Sequence, residues 1–345
     1  MTIPPNKNIL IRHYATSAVN EFQYGLSSKL IKPNLNTIEK DLLSLRNAVD
    51  YASRQAFYEI FSSSMDNLRY TKDVEWQASY CNEIQQIALK HISLRGYKAF
   101  KKYPISRCDY ITGMIYMFLT SAKKIYFGDG ITLLQEFIQQ GGILKPIWGQ
   151  VRGRYFQNAM QVGSYYMDVS NDTVDINKPK VEYAELDKCD FKNIDCYTEY
   201  SSLMKSYNHR DILINNCFPA LLPFFPLLIC AENNPEVQKI DINLYMAKFS
   251  IANNYENISS FILNVPKGDE LVEKQLKAVS KNAIEKSDKD GINKLLEFRI
   301  VSTDECQGII KDARRWSEDA LISHFSEAIK ATQLLNKMIK AYSVK

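Results

Sequence analysis

Histidine is scarce in this sequence, with four among 345 residues: His13, His91, His209 and His324. None stands in H-x-x-x-H or H-E-x-x-H spacing, and the one H-x-D step, His209-Arg210-Asp211, has no second histidine near it in sequence, so local sequence supports neither a zincin nor a facial-triad iron site. Glycine is also sparse, at 13 residues, and neither G-x-G-x-x-G nor G-x-x-x-x-G-K-[ST] occurs. A Rossmann-type dinucleotide site and a P-loop therefore lack their local signature. The seven cysteines (Cys81, Cys108, Cys189, Cys196, Cys217, Cys230 and Cys306) are never in C-x-x-C spacing. That argues against a zinc ribbon or a disulfide framework and for free, mostly buried thiols in a reducing compartment.

Long hydrophobic runs are missing too. The apolar stretches at 110–119 and 217–231 fall short of the roughly 18 residues a spanning helix needs, and the second contains three prolines. The first residues carry no apolar core of signal-peptide length. A cytoplasmic protein without a transmembrane segment is expected, with delivery by a signal-independent secretion route left open. Net charge is only +4, so any polyanion-binding surface must come from local clustering.

What is present reads as an α+β chain, predominantly α-helical. Asn36-Thr37-Ile38-Glu39 has the form of a capping box. Beyond it Ile38, Leu42, Leu45, Val49, Ala52, Ala56 and Ile60 recur every three or four residues, predicting one long helix to about residue 64. Further helices are expected over 74–102, 108–126 and 131–140, ended by Pro104, Gly128 and Gly141. These make an antiparallel helical N-terminal unit, 1–142. The remainder, 143–345, reads as an α+β unit with a small central β-sheet and a long C-terminal helix. Its expected elements are strands at 160–169, 180–186, 211–215 and 294–301 and helices at 197–207, 269–286 and from 302 to the end. The 217–231 segment reads as buried and kinked, 241–265 as helix or strand, and 8–13 as a short strand.

Two stretches have the residue types that chemistry needs. In the first, Arg152 and Arg154 flank Gly153 and are followed by Tyr155, Gln157 and Asn158. Guanidinium forks match phosphate oxygens, and the phenol and amides read hydroxyls. Asp168, Asp172 and Asp175 follow; Asp168 or Asp172 would serve as catalytic base, and Asp172 with Asp175 as ligands for Mg²⁺ or Mn²⁺. The same Asp and Asn residues are also what a turn uses. The second stretch is a basic tract whose Arg95, Lys98 and Lys102 share a helical face, suited to a polyanion or to a solvated helix end.

Three functional expectations follow. One is a transferase acting on a phosphate-bearing small molecule or glycan donor, for instance a glycosyltransferase using a sugar nucleotide. Another is a non-catalytic, α-rich interaction or effector protein with a protein partner. The third is a nucleic-acid binder using the 90–107 basic face.

Overall fold

The structure is a computed structural model and describes residues 20–61, 78–95, 102–121, 127–234, 236–287 and 290–343. The expected strand at 8–13 lies outside these residues. The fold is α+β and helix-dominated, with two antiparallel sheets and a long C-terminal helix. It divides into two compact units, 1–193 and 194–345. The five-stranded sheet thus belongs with the N-terminal helices, whereas the sequence division at 142/143 separated them.

The first unit begins with α1 (Glu21–Leu26), a π-helical and a 3₁₀ turn, and then α2 (Leu35–Phe61). The apolar stripe read from the sequence is the buried face of α2, and Ile38, Leu42, Leu45, Val49, Ala52 and Ala56 are all essentially inaccessible. Against it lie α3 (Ala78–Arg95), α4 (Cys108–Thr120) and α5 (Asp129–Gln139). The start of α5 is tied to α2 by the Gly130 N–H, which donates to Asp41 Oδ2 at 2.7 Å.

The sheet follows, built from β1 (Leu144–Val151), β2 (Tyr155–Val162), β3 (Tyr165–Asp168), β4 (Glu182–Glu185) and β5 (Phe191–Asn193), in the order β4-β3-β2-β1-β5. The single strand expected at 160–169 is two strands. Gly163 and Ser164 turn the chain between them, with Gly163 at φ +56° and the Ser164 N–H donating to Ser27 Oγ at 3.1 Å. Period-2 alternation survives a two-residue hairpin, so the pattern alone hides the reversal. Met160, Val162, Tyr165 and Met167 face the helical core. Ile147, Val151, Ala159 and Tyr166 form the opposite face with Leu186 and Phe191. A Cβ at Gly163 would combine a left-handed backbone with a collision against Ser27 Oγ and the Phe137 ring. Gly163→Ala is expected to cost about 1–3 kcal/mol, read as a lower midpoint in denaturant unfolding.

The second unit contains α6 (Tyr197–Ser206), β6 (Arg210–Ile214), β7 (Leu227–Ala231), β8 (Val237–Ile240), α7 (Leu244–Ala252), α8 (Glu256–Ile262), α9 (Glu270–Glu285), α10 (Asp290–Leu296), α11 (Thr303–Ala313) and α12 (Glu318–Tyr342). The ambiguous 241–265 segment is thus mostly helical. The strand expected at 294–301 is instead the end of α10 followed by irregular chain, and Val301 N–H bonds to the Asn216 carbonyl outside any ladder. The helix from 302 breaks at 314–317 into α11 and α12. Ser302 and Glu305 make a capping box at the first, and Ser317 caps the second. The kinked 217–231 segment ends as β7, and its Phe218, Leu221, Phe224 and Phe225 are core.

Strand β8 lies at the edge of the three-stranded sheet β6-β7-β8. An unpaired edge is a template for unwanted strand addition. Here two side-chain amides cover it. Gln275 from α9 bonds both backbone groups of Val237, at 2.8 Å each. Asn336 from α12 does the same for Ile240, at 2.7 and 2.9 Å.

Candidate functional site

The residues singled out between 152 and 175 fall into three settings. Arg152, Gly153 and Arg154 are the exposed turn of the β1–β2 hairpin, where Arg152 and Gly153 both have left-handed backbone, φ +55° and +61°. Arg152 is bonded to Glu182 Oε1 at 2.9 Å. Next to this turn, Tyr155 accepts a hydrogen bond from Lys178 Nζ at 2.7 Å, and the ammonium sits 4.5 Å from the ring centroid. Asp175, also exposed, accepts from the backbone and side-chain amides of Asn177 at 3.0 and 3.1 Å. That is turn chemistry.

Gln157, Asp168 and Tyr166 lie on the sheet face away from the helices. Asp168 ends β3 and is almost wholly buried, at 1% exposure. Four donors surround its carboxylate. Gln157 Nε2 reaches Oδ2 at 2.5 Å and Tyr166 OH reaches it at 3.2 Å; the Ser170 N–H and Oγ reach Oδ1 at 2.7 and 3.0 Å. Burial pushes the Asp168 carboxyl up to about 6, against the opposing pull of these hydrogen bonds. The same burial raises the Tyr166 phenol well above its ordinary range.

A carboxyl raised from 3.8 to about 6 binds its proton more tightly in the folded chain. Its contribution is fully present below the unfolded value and lost as pH rises through about 6, a swing of the order of 3 kcal/mol at about 1.4 kcal/mol per pH unit.

On the helix-facing side, Asn158 donates to Cys108 Sγ at 3.2 Å, at the first residue of α4. Thr112 Oγ1, one turn on, donates to the Asn158 carbonyl at 2.9 Å and meets Ser170 Oγ at 3.1 Å. Burial raises the Cys108 thiol, with Asp109 adding to it, so this sulfur is held as the neutral thiol.

Sequence reasoning missed Arg46, Asp50, Tyr103 and Lys180. Asp172 lies in a 3₁₀ turn, residues 171–173, and meets the fully buried Arg46 of α2, Nη1 to Oδ1 at 3.1 Å. Arg46 Nη2 also lies 3.1 Å from Asp50 Oδ1, one helical turn away. Asp50 in turn accepts from Tyr103 OH at 2.6 Å and Lys180 Nζ at 2.6 Å. Burial works against the charge on Arg46, but Asp50, Tyr103 and Asp172 outweigh it and raise its pKa. Burial raises the Asp172 carboxyl despite the pull of Arg46. The only sequence signal was the i,i+4 spacing of Arg46 and Asp50.

The structure therefore joins Gln157, Asp168 and Ser170, and separately joins Asp172 to Arg46. Arg152 and Arg154 stand at the hairpin turn, where Arg152 is paired with Glu182, while Asp168 is bonded to Gln157 and Asp172 to Arg46. On the basic face Lys98 and the Arg95 side chain lie outside the described residues, while Lys102 is exposed. Cys217 is core, its thiol pushed up to about 12 by burial, and His209 Nδ1 lies 3.3 Å from Glu232 Oε2. Among the described residues, one group fits metal-ligand proximity, Asp195, Cys196 and Glu199 at the start of α6; it includes none of Asp168, Asp172 and Asp175. No described helix is long and apolar enough to cross a membrane. Comparison with protein-family models, with curated proteins and with solved structures gives no match.

Proposed function

We propose that this chain is a non-catalytic, α-rich interaction protein. One observation carries the reading: the three carboxylates that the sequence offered for chemistry, Asp168, Asp172 and Asp175, are engaged in holding their own fold. Asp168 is enclosed by four donors, Asp172 is paired with buried Arg46, and Asp175 holds a turn. A general base must reach the proton it removes and a metal ligand must offer a lone pair, and carboxylates engaged in this way serve packing first.

A second reading has one observation in its favour. Arg152 and Arg154 are exposed at a hairpin turn beside Tyr155 and Lys178, a cationic edge suited to the phosphates of a donor such as a sugar nucleotide. In that transferase reading Gln157 and Asn158 would orient the donor and Asp168 or Asp172 would act as base. Asp172 and Asp175 would hold Mg²⁺ or Mn²⁺ against the phosphates.

Thermal unfolding of the full chain with a panel of sugar nucleotides, with and without Mg²⁺ or Mn²⁺, separates the two. The interaction reading expects an unchanged midpoint throughout, and capture of a protein partner that Arg154→Ala leaves intact. A metal-dependent rise that Arg154→Ala abolishes would overturn it, since a ligand specific to the folded state adds about 2.7 kcal/mol at a hundredfold excess over Kd.

A further inference from the structure

We propose that the outer edge of β4 takes an extended peptide of a protein partner as a further antiparallel strand, with a basic residue two positions before an apolar one. The proposal rests on the interaction reading and gives it a surface. The five-stranded sheet ends at β4. The Leu186 N–H donates to the Ser164 carbonyl at 2.8 Å, so in this register Tyr166–Ala184 and Asp168–Glu182 are the pairs that exchange ladder bonds. Tyr183 and Glu185 therefore turn their main-chain groups outward. Among the described residues the Tyr183 N–H and carbonyl and the Glu185 N–H have no partner, while the Glu185 carbonyl accepts from Lys188 and Cys189. The contrast is with β8, whose edge groups are taken up by Gln275 and Asn336. Outward groups at this spacing are matched by one chemistry, another extended backbone.

Charged side chains ordinarily guard an open edge. Here they are drawn off it. Lys180 reaches Asp50 on α2, Glu182 is paired with Arg152, and Glu185 is paired with Lys188.

The flank of α2 beside this edge selects the peptide. Asn47 of α2 accepts from Lys180 Nζ at 2.7 Å, just before β4, and Lys32, ahead of α2, lies within electrostatic reach of Glu185 at the other end. Between them Glu39, Leu43 and Asn47 follow one another at four-residue spacing on one flank. Leu43 is 39% exposed, and the half-buried Glu39 has no ion-pair partner among the described residues. Four helical residues rise about 6 Å, and alternate residues of a strand lie about 7 Å apart. Two successive helix-facing side chains of an added strand thus meet Glu39 and Leu43. An antiparallel strand passes Glu39 first, which places the basic residue two positions before the apolar one.

The test is selection of a displayed library of random linear peptides on the full chain, with affinities then measured for the enriched sequences. These are expected to share a basic residue two positions before an apolar one. Tyr183→Pro removes an outward N–H and no ladder bond, a change that edge strands tolerate. It should weaken binding about tenfold, the equivalent of one hydrogen bond. Glu39→Lys should exchange the basic preference for an acidic one. Absence of enrichment would overturn the proposal, as would peptides that bind either variant as they bind the wild type. Should Tyr183→Pro fail to fold, Glu39→Lys decides, because that carboxylate has no ion pair to lose. A protein partner captured equally by the wild type and both variants would overturn the edge site and leave the interaction reading standing. That reading falls instead to the metal-dependent rise with a sugar nucleotide.

Discussion

Arg46→Ala is expected to lower the unfolding free energy by about 3–5 kcal/mol, the usual result of removing one partner from a buried ion pair. The guanidinium is fully buried between Asp50 and Asp172, both of which are also largely inaccessible. Truncation leaves Asp172 without its 3.1 Å partner and leaves Asp50 only Tyr103 and Lys180. Asp172→Asn should cost less, because Arg46 keeps Asp50. Equilibrium denaturation at pH 7 of both single variants and the double variant measures the coupling. A loss below about 1 kcal/mol for Arg46→Ala, the range of exposed pairs, would show that the network contributes little.

Phe225→Ala should cost a similar amount, about 3–5 kcal/mol. Phe225 is fully buried in the core of the second unit, with its ring 6.4 Å from that of Phe224 and 6.2 Å from that of Phe325 on α12. Phe224 extends the cluster to Trp316 at 5.6 Å. The loss combines transfer of the ring from apolar surroundings with the cavity left behind, and rigid flanking elements limit collapse into it. Phe225→Leu, which fills most of that space, should recover more than half of the loss in the same denaturation series. Equal losses for Ala and Leu would mean that the ring contacts, and not the filled volume, carry the stability.

Much of the helical architecture was legible. The apolar stripe from Ile38 to Ala56 became the buried face of α2, and the helix expected from residue 302 starts there as α11, capped by Ser302. Both signals are local, since a 3.6-residue period and a cap are written within a few turns of chain. Strands were read less well. Gly163 and Ser164 split an apparently continuous strand, and 294–301 has strand-like composition yet forms the end of α10 and irregular chain. Whether an extended segment becomes a strand depends on a partner elsewhere in the chain, which composition does not supply.

The candidate site shows the same division. The sequence by itself determined which residues are able to titrate, donate or carry charge between 152 and 175, and that turns lie among them. Only the tertiary structure decided their roles. It turned Arg152-Gly153-Arg154 into a hairpin turn, enclosed Asp168 among donors from β2, β3 and Ser170, and brought Asp172 to Arg46 across 126 positions of sequence. Arg46 looked like one more charge on a helix until a carboxylate from a distant turn gave it a reason to be buried. A charge enters the interior only where its partner is already waiting, and that pairing is a property of the fold.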